Sequence, residues 1–247
     1  MAEALMRYQG VSIPPTQDEL PYSDGEPMES NYHVLQMYLL IETLKLHWKH
    51  RKDVFIGGNM FVYFSPTQSL THDYRGPDFF IVKGVEHRER DSWLVWEEDG
   101  KTPDVVIELL SASTAKKDRE EKKLIYQNNL RVPEYFLFDP RKGDFEGYAL
   151  NGGIYEPLHP DERGRLISQQ CQLALTRWKG VYSEEYSQWL RWETLSGEPL
   201  PTAEETAGFV KERNVELEAK VELEKERTAE LEALLAQYRE KFGALPE

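Results

Sequence analysis

Two acidic residues and one lysine occupy positions at which this chain could carry out metal-dependent chemistry. Glu108 lies inside the apolar run 105–110, and Lys122 follows it fourteen residues later. Asp78 directly precedes a second apolar run, residues 79–82. Carboxylate oxygens bind divalent cations, and a bound cation can activate water and stabilise charge on a phosphate. Two carboxylates and a lysine at strand ends are therefore typical of divalent-metal phosphodiester chemistry.

Glu108 is the first candidate, because an acid inside so apolar a strand is costly to bury without a partner or a metal ion. Side chains alternate along a strand, so Glu108 shares a face with Asp104 and Val106. Glu108 is therefore a candidate metal ligand. The alternatives to this role are an acid at a solvent-exposed strand end and a member of a structural ion pair. Asp104 lies about 13 Å back along the strand, too far for both acids to bind one ion directly.

Asp78 and Lys122 complete the predicted site. Asp78 follows a proline at a strand start. An aspartate at such a position often only caps a turn. It can also be the second acid of a metal site if its strand lies next to the strand of Glu108. A spacing of four places Asp118, Lys122 and Tyr126 on one face of a helix. That face could return Lys122 to the end of the Glu108 strand. The alternative is a surface ion pair between Asp118 and Lys122, which would contribute little stability.

The helices and strands that must position these residues follow one another in an order typical of an α/β fold. We expect a mixed central sheet flanked by helices. Apolar residues repeat at three and four in 31–50, which indicates an amphipathic helix. Cap residues predict a second helix at 115–128, and glycine-rich turn chemistry predicts a hairpin at 145–155. Residues 182–192 are predicted as a short helix. Further strands are predicted at residues 60–64, 78–82, 93–96, 104–110 and 135–138 and near residues 166 and 173.

Beyond two prolines, residues 203–242 predict one long charged helix. A coiled coil and a homodimer through this helix are expected. The alternatives are a solvated single helix and a helix folded back onto the domain. Two heptad positions define the seam: Val210, Leu217, Glu224, Leu231 and Tyr238 on one, and Asn214, Val221, Thr228, Leu235 and Phe242 on the other.

Composition restricts the classes of function. The 247 residues carry 44 acids against 30 Lys and Arg, for a net charge of −14, which argues against indiscriminate binding of nucleic acid. Basic clusters at 45–52 and 116–123 are local exceptions. The lone Cys171 excludes an internal disulfide. With no leader pattern and no apolar span of membrane length, we expect a cytoplasmic protein without a membrane partner.

Three stretches carry a family resemblance: PDVVIELLSAST at 103–114, DxxxKxxxY at 118–126 and VPEYFLFDP at 132–140. They resemble a bacterial, mainly cyanobacterial, restriction-endonuclease family of the PD-(D/E)XK nuclease superfamily. The resemblance covers roughly residues 20–160. It implies a restriction-endonuclease-like core and Mg²⁺-dependent cleavage of DNA, with Asp78 and Glu108 as the acids of the first and second motifs.

The chain departs from the superfamily at the lysine. That lysine normally lies two residues after the second acid, where this chain has Leu110. The family shows the same departure and has a lysine on the following helix, which matches Lys122. The resemblance also suggests auxiliary roles for Glu42 on the first helix and for Tyr126. His33 matches a histidine that is common near the start of this helix in the family, which makes it a further auxiliary candidate. Taken alone, it is interpreted as a structural residue or one that supports the site from outside.

The domain prediction that follows is an irregular lead-in at 1–30, a restriction-endonuclease-like nuclease domain at 31–198 and the charged helix at 199–247. Mg²⁺, for which Mn²⁺ can substitute, keeps several of its waters. Two carboxylates, the backbone carbonyl of Leu109 and the substrate phosphate would therefore suffice as ligands. Lys122 would assist the attacking water. Four basic residues are candidate contacts to the DNA backbone, or alternatively a solvated helix face: Lys116, Lys117, Arg119 and Lys123.

The leading hypothesis is a metal-dependent endonuclease that hydrolyses phosphodiester bonds in DNA. The alternative is a catalytically inactive nuclease fold that acts as an interaction or scaffold module through its coiled coil. The acidic balance and Leu110 at the usual lysine position favour that alternative. A nuclease acting on RNA or branched nucleic acid is a third possibility, because no base-reading element is visible.

Overall fold

The computed structural model of the protein describes residues 7–8, 11–22, 30–66 and 74–243. Contacts divide the chain into two compact units, residues 1–200 and residues 201–247. This boundary lies two residues after the predicted one. Within the described ranges, no helix is long and apolar enough to cross a membrane.

The first unit combines strands and short helices. Its strands are β1 (Arg7–Tyr8), β2 (Val11–Ser12), β3 (Val54–Gly57), β4 (Val62–Tyr63), β5 (Tyr74–Arg75), β6 (Phe79–Lys83), β7 (Trp93–Leu94), β8 (Val105–Leu109), β9 (Glu134–Phe138), β10 (Phe145–Asn151), β11 (Ile154–Pro157), β12 (Leu166–Ser168), β13 (Leu173–Tyr182) and β14 (Glu185–Glu193). Its helices are α1 (Asn31–His47), α2 (Ala115–Lys117) and α3 (Lys123–Asn128), with a 3₁₀ turn at Gln17–Glu19. A π-helical segment, Asp118–Lys122, joins α2 to α3.

A six-stranded mixed sheet forms the centre of this unit, in the order β11-β10-β9-β8-β6-β3. The neighbours β8 and β9 are parallel, and the α2–α3 helix connects them as a strand-helix-strand unit. The other neighbouring pairs in this sheet are antiparallel. The predicted α/β fold with a mixed central sheet is confirmed.

Side-chain alternation gives this sheet two apolar faces. Phe79 and Ile107 belong to the cluster that also contains apolar residues of α1. Val106, from the opposite face of β8, belongs to the cluster that contains Tyr126 of α3. Glu108 follows Val106 by two residues, so its carboxyl points to the face covered by α3. The strand pattern alone therefore decides which helix can supply partners for this acid.

Residues 182–192 form the end of β13, a two-residue turn and most of β14, so the helix predicted there is wrong. β13 and β14 pair antiparallel over nine residue pairs. Ser183 and Glu184 make the tight turn between them with φ of 50° and 66°, the backbone of a two-residue mirror-type hairpin. Trp189 of β14 stacks on Tyr32 of α1 at a centroid distance of 4.5 Å. Pairing with β13 and burial of this tryptophan outweigh the local helical pattern.

Two smaller sheets and a short ladder complete the unit, with strand orders β12-β13-β14, β5-β4-β7 and β1-β2. The described part of the predicted lead-in packs against the β5-β4-β7 sheet. Leu20 is buried with Tyr63, whose hydroxyl donates to the Pro21 carbonyl at 2.6 Å. The indole of Trp96 donates to the Pro15 carbonyl at 2.8 Å. Residues 15–21 are thus anchored to the rest of the first unit by side-chain contacts.

The second unit is the helix α4 (Ala203–Phe242), as predicted. Its 40 residues correspond to a length of about 60 Å. Thr202 caps its first turn in a reciprocal pair with Glu205, the capping box typical of a helix start. The heptad positions Leu217 and Leu231 are exposed, and the coiled coil stays a prediction.

Gly58 lets the chain that leaves β3 approach the start of β6. A Cβ at this position would lie 2.4 Å from the Asp78 carbonyl oxygen and 2.8 Å from the Met37 sulfur. Beside it, the Asn59 N–H donates to the Pro77 carbonyl at 3.0 Å. The absence of a side chain at Gly58 is therefore one condition for the observed position of Asp78.

Gly58→Ala should lower the free energy of unfolding by about 1–3 kcal/mol, because the added methyl must displace backbone or a packed methionine. Urea unfolding followed by tryptophan fluorescence measures this change. The matched control is Gly208→Ala on α4, where an added Cβ meets nothing within 4 Å. It should stabilise that helix by about 0.5–1 kcal/mol, seen as helicity in circular dichroism. Equal stability of Gly58→Ala and the parent would contradict the packing argument.

Candidate functional site

Glu108 is fully buried, with 0% of its surface exposed. Its Oε1 accepts a hydrogen bond from the Tyr126 hydroxyl at 2.8 Å. Its Oε2 accepts from Lys122 Nζ at 3.0 Å. The burial of Glu108 excludes the alternative of an acid at a solvent-exposed strand end. The alternative of an ion pair is met, because Glu108 pairs with the predicted lysine, Lys122.

Asp78 lies beside Glu108 because of the register of β6 and β8. Phe79 pairs with Ile107 in this antiparallel ladder, so the residue before Phe79 neighbours the residue after Ile107. The two carboxyls are close enough for each to change the pKa of the other. Asp78 Oδ2 also accepts the N–H of Leu109 at 2.7 Å. Asp78 therefore faces the neighbouring strand, and its oxygen takes a donor from that strand.

Lys122 returns to the end of β8, as the helix spacing predicts. Its Nζ lies 3.0 Å from Glu108 Oε2 and 2.9 Å from Asp118 Oδ1. Asp118 is 1% exposed, so the alternative of a surface pair between Asp118 and Lys122 is wrong. Sequence reasoning noticed the spacing of these two residues but did not include Asp118 in the site. Its position four residues before a lysine directed at Glu108 was the available signal.

The turn that carries Asp118 and Lys122 is π-helical. The Lys123 N–H donates to the Asp118 carbonyl five residues earlier, and the Tyr135 hydroxyl of β9 donates to the same carbonyl at 2.9 Å. Single π turns inside α-helices are rare and occur frequently at functional sites. Here a hydroxyl from the neighbouring strand fixes the wide turn that presents both side chains to the sheet.

Burial and mutual repulsion dominate the electrostatics of this cluster. Burial raises the pKa of Glu108; Lys122 lowers it, and the charges of Asp78 and Asp118 raise it again. Burial also raises the pKa of Asp78, an effect that Lys122 partly offsets. For Lys122, burial lowers the pKa, but the three acids together outweigh burial and raise it. Lys122 is therefore an ammonium group, and the Asp78–Glu108 pair retains a proton near neutral pH.

The donor set fits a hard divalent cation. Two facing carboxylates supply oxygen ligands of the kind that Mg²⁺ and Mn²⁺ bind, and Mg²⁺ completes its shell with water. In the described part of the chain, no group of three or more His, Cys, Asp or Glu side chains could hold a metal ion. Asp78 and Glu108 would thus hold a cation as a pair. A ligand role for the Leu109 carbonyl stays a prediction.

The two auxiliary residues suggested on α1 have other partners. The Glu42 carboxylate accepts a hydrogen bond from the Tyr182 hydroxyl at 3.0 Å, at the end of β13. His33 is buried near the start of α1, with its Nδ1 2.8 Å from the Ser30 hydroxyl. Ser30 is the N-cap of this helix and accepts the His33 N–H. These contacts fit the structural interpretation of His33.

The four basic residues beside the site divide into two pairs. Arg119 forms an ion pair with Glu146 at 2.9 Å, and Lys123 Nζ lies 3.3 Å from the centroid of an aromatic ring. Lys116 and Lys117 are exposed on α2. The exposed pair is better placed to meet a phosphate, because its ammonium groups are open to solvent.

Comparisons with known proteins identify a family. A family model named Uma2 and described as "Putative restriction endonuclease" matches residues 6–177. No curated protein matches the chain. A solved structure described as a "putative nuclease belonging to DUF820" from Anabaena variabilis is 17% identical, with a TM-score of 0.45, and the alignment covers 64% of this chain and 91% of that chain. The family match spans more than half of the chain and includes all of the acid–lysine cluster; the chain belongs to the Uma2 family.

Proposed function

We propose that this chain is a divalent-metal-dependent endonuclease that hydrolyses phosphodiester bonds in DNA. The family supports a nuclease, and the metal and the DNA substrate are our inference. The observation that carries the proposal is geometric: the register of β6 and β8 places Asp78 next to Glu108, and Lys122 Nζ lies 3.0 Å from the Glu108 carboxylate. Two acids and a lysine on adjacent strand ends and a covering helix form the arrangement that metal-assisted phosphodiester hydrolysis requires.

The side chains divide the work. A cation, when bound by Asp78 and Glu108, supplies a water of lowered pKa and offsets charge on the phosphate. The Lys122 ammonium faces the same acids, where it orients the attacking water and stabilises charge developing on a phosphate oxygen. Asp118 forms a second ion pair with Lys122 at 2.9 Å and so helps to hold its ammonium group in place. The Tyr126 hydroxyl fixes the orientation of Glu108.

A catalytically inactive scaffold is the second candidate. Leu110, at the position where the superfamily normally has its lysine, is 1% exposed and belongs to the apolar cluster that includes Tyr126. A lysine bound to two acids also serves as a structural ion pair. Substitutions of Asp78 and Glu108 distinguish the nuclease from the scaffold, because only the nuclease needs these residues to bind a metal ion.

Self-association through α4 is part of the proposal. Long apolar side chains along this charged helix are exposed, and an isolated helix gains little stability from propensity alone. A second copy of α4 in a coiled coil would cover them. Of the nine seam positions whose side-chain exposure the structure describes, six carry exposed apolar residues: Val210, Leu217, Val221, Leu231, Leu235 and Tyr238.

Asp78→Asn, Glu108→Gln and Lys122→Gln should each lower the rate of plasmid cleavage in Mg²⁺ or Mn²⁺ by about 100-fold or more, because each removes a ligand or a charge at the reacting phosphate. The matched control is Asp104→Asn, directly before β8 and four residues before Glu108. Asp104 accepts the Lys83 N–H at 2.7 Å, a contact that an asparagine oxygen retains, so this variant should cleave like the parent. A parent that neither cleaves DNA nor binds metal would refute the enzyme and leave the scaffold.

Metal binding should release a proton, because a cation must displace the one retained by the acid pair. The raised pKa values of Asp78 and Glu108 give this sign: the affinity for Mn²⁺ rises with pH between about 6 and 8 and levels off once both acids are ionised. Calorimetry in two buffers of different ionisation enthalpy counts the protons. Glu108→Gln should lose both the binding and its pH dependence. An affinity that is constant over this range would contradict the shared proton.

Truncation after Leu200 should convert a dimer into a monomer, as measured by light scattering coupled to size exclusion. Leu217→Glu together with Leu231→Glu should do the same in the full chain, because charges cannot be buried in the seam. The matched control, Val215→Glu, changes an exposed residue outside the two seam positions. If the truncated protein keeps the parent's oligomeric state, α4 does not assemble the dimer.

A further inference from the structure

A second charged surface lies at the outer edge of the central sheet. Residues 54–56 of the edge strand β3, the end of α1 and the segment 87–91 line a groove of about 600 Å³. We call it the α1–β3 groove. Val54 pairs with Lys83 at the end of β6, whereas Asp78 precedes the start of that strand. Asp78 and Lys83 are five residues apart along this strand, so the acid pair and the groove are separated by about 16 Å.

The groove is basic although the protein is acidic. Six of its lining residues are Lys or Arg and two are Asp or Glu, in a chain with 44 acids and 30 Lys and Arg. Lys45, Lys49 and Lys52 are exposed, and no ion pair within the described ranges includes any of them. Like charges held together in a groove raise the local potential regardless of the net charge. This surface therefore attracts anions.

Two guanidinium groups in the groove are held in place by neighbours. Arg51 lies over the Trp48 ring at 4.8 Å and pairs with Asp53 at 2.8 Å. Arg90 lies over the Trp93 ring at 4.8 Å and bonds to a buried glutamate. The Arg90 side chain is 1% exposed and donates to Glu98 and to two backbone carbonyls, so it shapes the groove wall and does not meet a ligand. Arg51 is 34% exposed, and its two hydrogen bonds to Asp53 leave N–H donors for a further acceptor. The Trp48 ring and the Asp53 carboxylate pre-orient the Arg51 guanidinium, which reduces the entropy lost when a phosphate binds.

We propose that the α1–β3 groove binds the phosphate backbone of the nucleic acid that is cleaved at the acid pair, an inference that rests on the proposed function. The cations come from two separate segments, residues 45–52 and 88–90, and line an open groove, which suits the repeated charge of a polymer better than one small anion. Duplex DNA carries a charge about every 1.7 Å of its axis. The separation of about 16 Å therefore corresponds to about five base pairs, so one duplex is long enough to reach both places.

Two alternative roles for these cations predict different results. Cations beside an edge strand deter pairing with a second sheet, and in that case they have no effect on nucleic acid. An acidic protein segment is a different polyanion, which would compete with DNA for the same surface. Both are outcomes of one binding experiment.

The experiment measures binding of the full chain to a fluorescent duplex of about 30 base pairs in EDTA at several salt concentrations. The variant carries Lys45→Gln, Lys49→Gln and Lys52→Gln. The matched control carries Lys142→Gln, Lys179→Gln and Lys211→Gln, three exposed lysines outside the groove. The groove variant should bind about tenfold or more weakly, and the slope of log affinity against log salt should fall by about three. The control should bind like the parent.

Equal affinities and salt slopes for the groove variant and the control would overturn the proposal, as would competition by polyglutamate equal to that by DNA at the same charge concentration. Lys49→Glu alone, which should weaken binding further than Lys49→Gln, provides a second variant at an exposed position. Because EDTA removes the metal, binding is measured apart from cleavage. If the groove variant loses binding but the parent does not cleave DNA, the proposed enzyme is refuted and the proposed groove is not. If the parent cleaves DNA but the groove variant binds it as tightly as the parent, only the proposed groove is refuted.

Discussion

The burial of the Glu108 carboxyl is the constraint on which the rest of the site depends. A carboxylate removed from water costs several kcal/mol unless charge and hydrogen bonds replace its hydration. The strand around it is apolar, so every replacement must come from other elements. Lys122 supplies the charge and Tyr126 the neutral donor. Both reside on the connection between β8 and β9, so the same crossover that builds the parallel pair also makes the buried acid tolerable.

Each neighbouring element contributes one specific contact to this cluster. The register of β6 places Asp78, and a donor from β8 holds it. The π-helical turn presents Asp118 together with Lys122, and the Tyr135 hydroxyl of β9 satisfies the carbonyl at that turn. The two adjacent acids are buried and share a proton when no cation is bound. Burying such groups costs free energy, so the site is less stable than an apolar core would be. Such local conflicts are expected at functional sites.

Much of this arrangement could be predicted from local patterns. Alternation along 104–110 assigned Glu108 to one face of its strand, and the spacing of four assigned Lys122 to one face of its helix. Asn151 and the two glycines after it carry the left-handed turn chemistry of a hairpin, and residues 152 and 153 do have positive φ. These predictions hold because they depend on neighbours in sequence. The register that places Asp78 beside Glu108 was expected only from its place at a strand start.

The sequence by itself determined the strands that carry the site, the acid–lysine candidates and the long C-terminal helix, since periodicity and turn residues specify them locally. Only the tertiary structure decided that Asp118 is buried against Lys122 and that Glu42 hydrogen-bonds to Tyr182. It also decided that residues 182–192 pair as a strand and that cations from distant segments meet in one groove. These features follow from packing between elements far apart in the chain. Burial and long-range pairing there outweigh the local preferences that a sequence displays.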